Sequence, residues 1–240
     1  MRDVFTLWKE RLFGAESDKS VVCGCDRPLF RNDDVCWDTP FEEFRSFCKI
    51  FWKFGFRQLH GVTLYGKTMI VKQQFKGCGP YEGYPDLCDL HNETIRELSA
   101  PYSIAKRSDL LMFLASSPDE IALHGLYHTD YEKMSLEEQR SDIQEGLRQL
   151  RELFPGKTIR YFIAPFNRTN DYTFQVCREL GVELLSADGV HLEAELSRLR
   201  LHPGVWYRYH HHRFYQESNF SYYTLSMKRL DEAFQRAARK

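Results

Sequence analysis

A chain of 240 residues, 42% of them hydrophobic and 15% aromatic, has ample material for a sizeable core, which excludes an intrinsically disordered segment. Thirty-three basic residues against 34 acidic ones leave a formal charge of −1, with no basic excess or stripe of the kind a nucleic-acid binder carries. No apolar run approaches the length that crosses a bilayer, so a membrane span is not expected.

The opening stretch, MRDVFTLWKERLFGAESDK, is charged throughout and has no continuous apolar h-region. It reads as an amphipathic helical extension over residues 1–24, ahead of a barrel domain over 25–240. With no export signal read, the seven cysteines (23, 25, 36, 48, 78, 88 and 177) are expected to be free thiols of a cytoplasmic protein. Cys23 and Cys25 form a CxC near Cys36, but no second pair follows at zinc-finger spacing.

Beyond this point short apolar runs alternate with amphipathic helices, the βα rhythm of an α/β protein. Pro28 to Arg31 is a strand candidate leading into Asn32-Asp33-Asp34. Thr39, Pro40 and Glu42 predict a capped helix start, with Phe41, Phe44, Cys48, Phe51 and Trp52 on its apolar face and Gly55 as its stop. Leu59 to Tyr65 is the second predicted strand. Residues 66–91 are rich in Gly, Pro and aromatics and form an irregular loop, equally a binding surface or a plain insertion. A helix begins near Ser108, and Glu120 to Leu123 is a strand running into His124. Ser135 and Glu138 form a capping box for a long helix to about Phe154. Ile159 to Ala164 is a strand, Asn170 caps a helix ending at Gly181, and Val182 to Ala187 is another strand. Leu199 to Val205 is predicted as the last strand, and a helix from about Ser226 closes the chain. The pattern predicts one domain.

Polar residues of interest fall repeatedly just after a strand: Asp33 and Asp34, His124 and His128, Asn167 and Arg168, and His202 at the last. In parallel α/β architectures these strand ends converge on one rim, where active sites form. HGLYH sets two imidazoles four residues apart, on one face of a helical turn, so both can reach one metal. Nine histidines in 240 positions produce roughly 0.3 such pairs by chance, so the spacing alone favours two ordinary surface or core histidines. The adjacent carboxylates shift the balance, because two of them after an apolar strand are costly unless a cation neutralises them. Asp34 with His124 and His128 would make a His₂-carboxylate site, leaving Asp33 free to take a proton; capping of the following turn is the alternative. His202 could donate a proton to a leaving amine, and Arg168 could hold a substrate oxygen or orient Asp33.

Taken together, these residues resemble the NodB-type polysaccharide deacetylase family, carbohydrate esterase family 4. Phe30-Arg31-Asn32-Asp33-Asp34 is similar to the family's opening strand ending in Asp-Asp. HGLYH resembles its His-(Ser/Thr)-x-x-His, with Gly125 in the second place, and residues 135–146 are similar to the helix that follows. Ile163-Ala164-Pro165-Phe166 corresponds to its Arg-x-Pro-aromatic segment, and Leu199-Arg200-Leu201-His202 resembles its Leu-x-His motif.

The resemblance implies a distorted (β/α) barrel of about seven parallel strands. It makes Asp33 the catalytic base, Asp34, His124 and His128 the ligands of one divalent metal, and His202 the general acid. Pro165, Phe166, Asn167 and Arg168 become the substrate-binding segment. Zinc is the expected ion, with cobalt, nickel, manganese and iron also compatible with such ligands. The function implied is a metal-dependent amidohydrolase that removes an acetyl or formyl group from an N-acylated sugar, in glycan or lipopolysaccharide O-antigen biosynthesis. Two alternatives stay open, a degenerate barrel that binds saccharide and an amide transferase using the same metal site. The departures from the pattern are Ile163 where the family has Arg, with Arg168 downstream as a substitute; Arg200 in place of Leu; and Asp188 as the nearest remnant of an Asp-x-x-Asp-Trp motif. His210, His211 and His212 are rival acids.

Overall fold

A computed structural model of the protein describes residues 28–66, 91–185, 189–214 and 226–238. The predicted extension over 1–24, nearly all of the 66–91 loop and Asp188 lie outside the described residues.

Among the described residues seven strands pair in parallel: β1 (Leu29–Val35), β2 (Gln58–Val62), β3 (Glu120–Leu123), β4 (Tyr161–Ile163), β5 (Glu183–Leu185), β6 (Val190–His191) and β7 (Trp206–His210). Their order is β5-β4-β3-β2-β1-β7-β6, one curled sheet with β1 near its centre. Helices α1 (Phe41–Lys53), α2 (Asn92–Ser99), α3 (Ser108–Ser116), α4 (Leu136–Leu153), α5 (Asp171–Glu179) and α6 (Met227–Ala237) complete the framework. This is the expected distorted (β/α) barrel, and the connections β1–β2, β2–β3, β3–β4, β4–β5 and β6–β7 cross over through helical segments that return the chain to the same strand direction.

Period-two alternation divides each strand between two faces. On one, Phe30 packs on Phe51 of α1 (5.1 Å between rings) and on Phe234 of α6 (5.5 Å), while Phe51 stacks on Tyr209 of β7 at 5.3 Å. Phe44, Phe47, Cys48 and Phe51 of α1 are all buried, each phenylalanine contributing about 1.5–3 kcal/mol. On the other face a small cluster of Leu59, Ala122 and Ile163 fills the inside of the curl. Arg31 and Asp33 alternate with Phe30 and Asn32, which sets the first pair on the inner face and the second toward α1.

Several local predictions hold. Ser135 and Glu138 form a reciprocal capping box on α4, Asn170 caps α5 and Ser226 caps α6. Cys36, Cys48 and Cys177 are buried free thiols. Others are corrected. Pro40, not Thr39, occupies the N-cap position of α1, and no side chain caps it. The Thr39 hydroxyl instead accepts from the Cys36 amide at 3.0 Å. The last strand is Trp206–His210 and not residues 199–205, because Gly204, at φ +73°, turns the chain before Val205. The alternation of Trp206-Tyr207-Arg208-Tyr209-His210 then supplies the β-prone run. Strand β6 and helix α2 were not predicted.

Candidate metal centre

At the carboxyl end of β1 the chain takes an abrupt turn. Asp34 adopts φ +67°, and pairing with β2 shifts register between Asn32 and Val35. The irregularity lets adjacent aspartates serve different purposes instead of pointing to opposite faces.

The Asp34 carboxylate meets three imidazoles. Its Oδ1 lies 3.2 Å from His124 Nε2 and 3.1 Å from His128 Nε2, and its Oδ2 lies 3.8 Å from His210 Nε2. Burial alone would raise this carboxyl. With no ion at the site and Nε2 of His124 and His128 protonated, hydrogen bonds from these rings, with the charges of His128 and His210, outweigh burial and hold it well below the usual carboxylate range. His124 Nδ1 sits 2.9 Å from the carbonyl oxygen of Ile163, which can only accept. Neutral His124 therefore carries its proton on Nδ1 and turns the Nε2 lone pair toward Asp34. Two lone pairs 3.2 Å apart repel unless a cation lies between them. The ligand atoms of Asp34, His124 and His128 lie within 4.8 Å of one another, so this donor set fits a divalent ion. His128 Nδ1 is buried and finds no hydrogen-bond partner among the described residues; its ring is held by the edge of Phe166, with centroids 4.5 Å apart.

Asp33 is buried on the inner face. Arg31, two residues earlier on the same face, donates from Nε to Oδ1 (2.9 Å) and from Nη2 to Oδ2 (2.8 Å). The same Nη2 donates to Asn167 Oδ1 at 2.7 Å, tying the aspartate to the segment after β4. Asp33 thus has an arginine partner although position 163 is isoleucine. That partner is not Arg168, whose Nη1 donates to Asp130 Oδ2 at 3.0 Å. Arg31 was missed as a site residue, and its i, i+2 relation to Asp33 on a strand was the available signal.

Of the proposed substrate-binding segment, Pro165 is buried while Phe166, Asn167 and Arg168 are half-buried. Phe166 and Asn167 both adopt left-handed conformations (φ +57° and +53°), strain that aims the Phe166 ring at His128 and the Asn167 amide at Arg31. Gly125 explains a departure from the family pattern. At φ +82°, a Cβ there would stand 2.5 Å from the carbonyl oxygen of Tyr127 and 3.2 Å from Pro165, so this HxxxH loop accommodates only glycine.

His202, expected as the acid, is a correction. It is exposed and precedes β7, near where Val205 accepts from the Leu29 amide at the start of β1. The register from Leu29↔Trp206 to Asp33↔His210 then runs four residues, about 13 Å of strand, to the site. His210, pairing across from Asp33 and 3.8 Å from Asp34, is the histidine that the last strand delivers.

A second donor group, Cys48, His60 and Asp119, is fully buried behind the sheet.

Residues 95–185 match the polysaccharide deacetylase family model, in keeping with the resemblance read from the two motifs. Among solved structures it is similar to a family 4 carbohydrate esterase pseudoenzyme from Bacillus anthracis (13% identity, TM-score 0.51, covering 90% of this chain and 62% of that one). It is also similar to a family 4 carbohydrate esterase from Streptomyces lividans (13% identity, TM-score 0.55, covering 88% and 90%). The Bc1960 peptidoglycan N-acetylglucosamine deacetylase is a third (10% identity, TM-score 0.59, covering 92% and 85%). These likenesses show the fold. The chain spans 62–64% of the length of the three pseudoenzyme structures that it matches, wild type and mutants. A search of curated protein sequences returns no match.

Proposed function

We propose that the protein is a metal-dependent amidohydrolase that removes an acetyl or formyl group from an N-acylated sugar. The observation that carries this reading is the convergence of Asp34, His124 and His128 beside a buried, arginine-held Asp33. Asp34, His124 and His128 would hold a divalent ion, zinc in this proposal, whose positive charge would polarise the acyl carbonyl and acidify a water. Asp33 accepts the proton of the attacking water, and Arg31 keeps both carboxylate oxygens in place while that happens. His210, 3.8 Å from Asp34 at the end of β7, protonates the departing amine in place of His202, a choice supported by its nearness to the ligand set. Phe166 and Asn167 form the wall on which the sugar rests.

The reading of a degenerate, saccharide-binding barrel is supported by the pseudoenzymes among similar structures, but base and ligand set are both present in this chain. The buried thiols of Cys36, Cys48 and Cys177 are compatible with a reducing compartment, and we place the substrate in glycan or lipopolysaccharide O-antigen assembly as part of the same proposal.

The test is elemental analysis of purified wild type beside Asp34→Ala and His128→Ala, followed by amine release from N-acetylated and N-formylated sugars. One divalent ion per wild-type chain, lost in both variants, with turnover abolished by Asp33→Asn, is the expected result. Wild type that stays metal-free after reconstitution defeats the hydrolase reading. Saccharide binding without amine release would favour the binding module, and amide appearing on an added acceptor amine would favour a transferase.

A further inference from the structure

Behind the metal centre, on the face of the sheet turned toward α1, four buried polar side chains meet. Asn32 lies on β1 beside Asp33, His60 on β2, Asp119 just before β3, and His211 directly after His210. Their hydrogens can be placed by working inward from groups that have no choice. The His211 backbone N–H can only donate, and it lies 3.0 Å from Asn32 Oδ1, which makes that atom the amide oxygen. His211 Nδ1 is also 3.0 Å from this oxygen, so it donates too. The Asn32 Nδ2 group must then donate to His60 Nδ1 at 3.1 Å. His60, accepting at Nδ1, carries its proton on Nε2 and donates it to Asp119 Oδ2 at 3.0 Å. Asp119 anchors the chain, accepting also from the Gln58 amide (2.9 Å) and from Trp52 Nε1 (3.0 Å). At the far end, His211 Nε2 is left to accept from the Thr39 hydroxyl at 3.5 Å.

We propose that Asn32 is a positioning residue: its amide orders a one-directional chain of hydrogen bonds, His211 to Asn32 to His60 to Asp119, that fixes the end of β7 so that His210 faces Asp34. The chain links β1, which carries Asp33 and Asp34, β7, which carries His210, and β2 to the start of β3, the strand that delivers His124. The acid role of His210 rests on the function proposed above; the direction of the hydrogen bonds does not. The same ordering assigns the Cys48–His60–Asp119 group a structural role instead of a metal. The His60 Nε2 lone pair is occupied by a proton, and the Cys48 thiol, 4.0 Å from that nitrogen, is pushed up by burial and by the neighbouring Asp119.

Imidazole ¹⁵N NMR of the zinc-loaded full chain tests this. The expected spectrum shows His60 as the neutral Nε2–H tautomer, with one zinc per chain that disappears in Asp34→Ala. His60 protonated on Nδ1, or a second zinc that survives Asp34→Ala, overturns the proposal. Asn32→Asp, nearly identical in shape, sets two carboxylates on one imidazole, and we expect kcat on di-N-acetylchitobiose to fall at least tenfold with KM and zinc content unchanged. Asn32→Asp combined with Asp119→Asn restores a single carboxylate with the chain reversed. It should switch His60 to the Nδ1–H tautomer and recover part of kcat; a double variant no better than the single one counts against the chain. Wild type inactive on every N-acylated sugar, yet with His60 as the Nε2–H tautomer, would defeat the function and leave the ordering intact.

Discussion

Replacing Arg31 by methionine isolates the buried pair on which the candidate base depends. Arg31 and Asp33 are 2% and 4% exposed, and three short hydrogen bonds leave the guanidinium. Methionine fills similar length without charge, so Asp33 would stay buried with its counter-charge removed. Breaking a buried pair from one side costs about 3–5 kcal/mol, far above the roughly 0–1 kcal/mol of an exposed pair. For a chain of this size that corresponds to a fall in Tm of about 6–20 °C. The informative comparison is Arg31→Met with Asp33→Leu in one chain. Replacing both ions by apolar groups is often neutral, so most of the loss should return, less about 1 kcal/mol for the stranded Asn167 amide. Urea unfolding, followed by tryptophan fluorescence and far-UV circular dichroism, measures all four corners of the cycle. A single variant costing under about 1 kcal/mol, or a double variant as unstable as the single, would refute the reasoning.

Other expectations follow from the same geometry. Gly125→Ser should cost about 1–2 kcal/mol from its left-handed backbone alone, and displacing the loop should weaken zinc binding about 10–100-fold in a chelator-competition titration. His210→Ala should lower kcat about 10²–10⁴-fold while His202→Ala leaves it unchanged; the reverse pattern in steady-state assays would restore the acid read from the sequence. Asp142 is pushed up to about 6 by burial, against the lowering effect of its hydrogen bonds from Tyr131 and the Leu126 amide. The folded state therefore holds a proton that the unfolded chain releases near pH 4, so stability falls as pH rises from about 4 to 6 and is level above. The fall amounts to about 3 kcal/mol at most. Asp142→Asn should flatten that slope, as read from urea midpoints at pH 5 and pH 8.

What could be read from the sequence alone is what a few neighbouring residues decide. The box of Ser135 and Glu138, the Asn170 cap and the strand running into His124 all depend on contacts within about four positions, so their patterns were sufficient. The pairing of Asp34 with HGLYH was also legible, because two short motifs each keep their spacing whatever connects them. Tertiary structure decided the rest, since parallel strands pair only through long crossovers and their register is written in no local motif. That register sets His210 opposite Asp33 and leaves His202 at the far end of the strand. It also turns Arg31, an unremarked residue in an apolar run, into the partner of the base, and withdraws Thr39 from helix capping to the end of a hydrogen-bond chain at His211. A buried polar group must find a partner wherever the fold offers one, and for these residues the partner comes from the packing of strands and not from the neighbouring sequence.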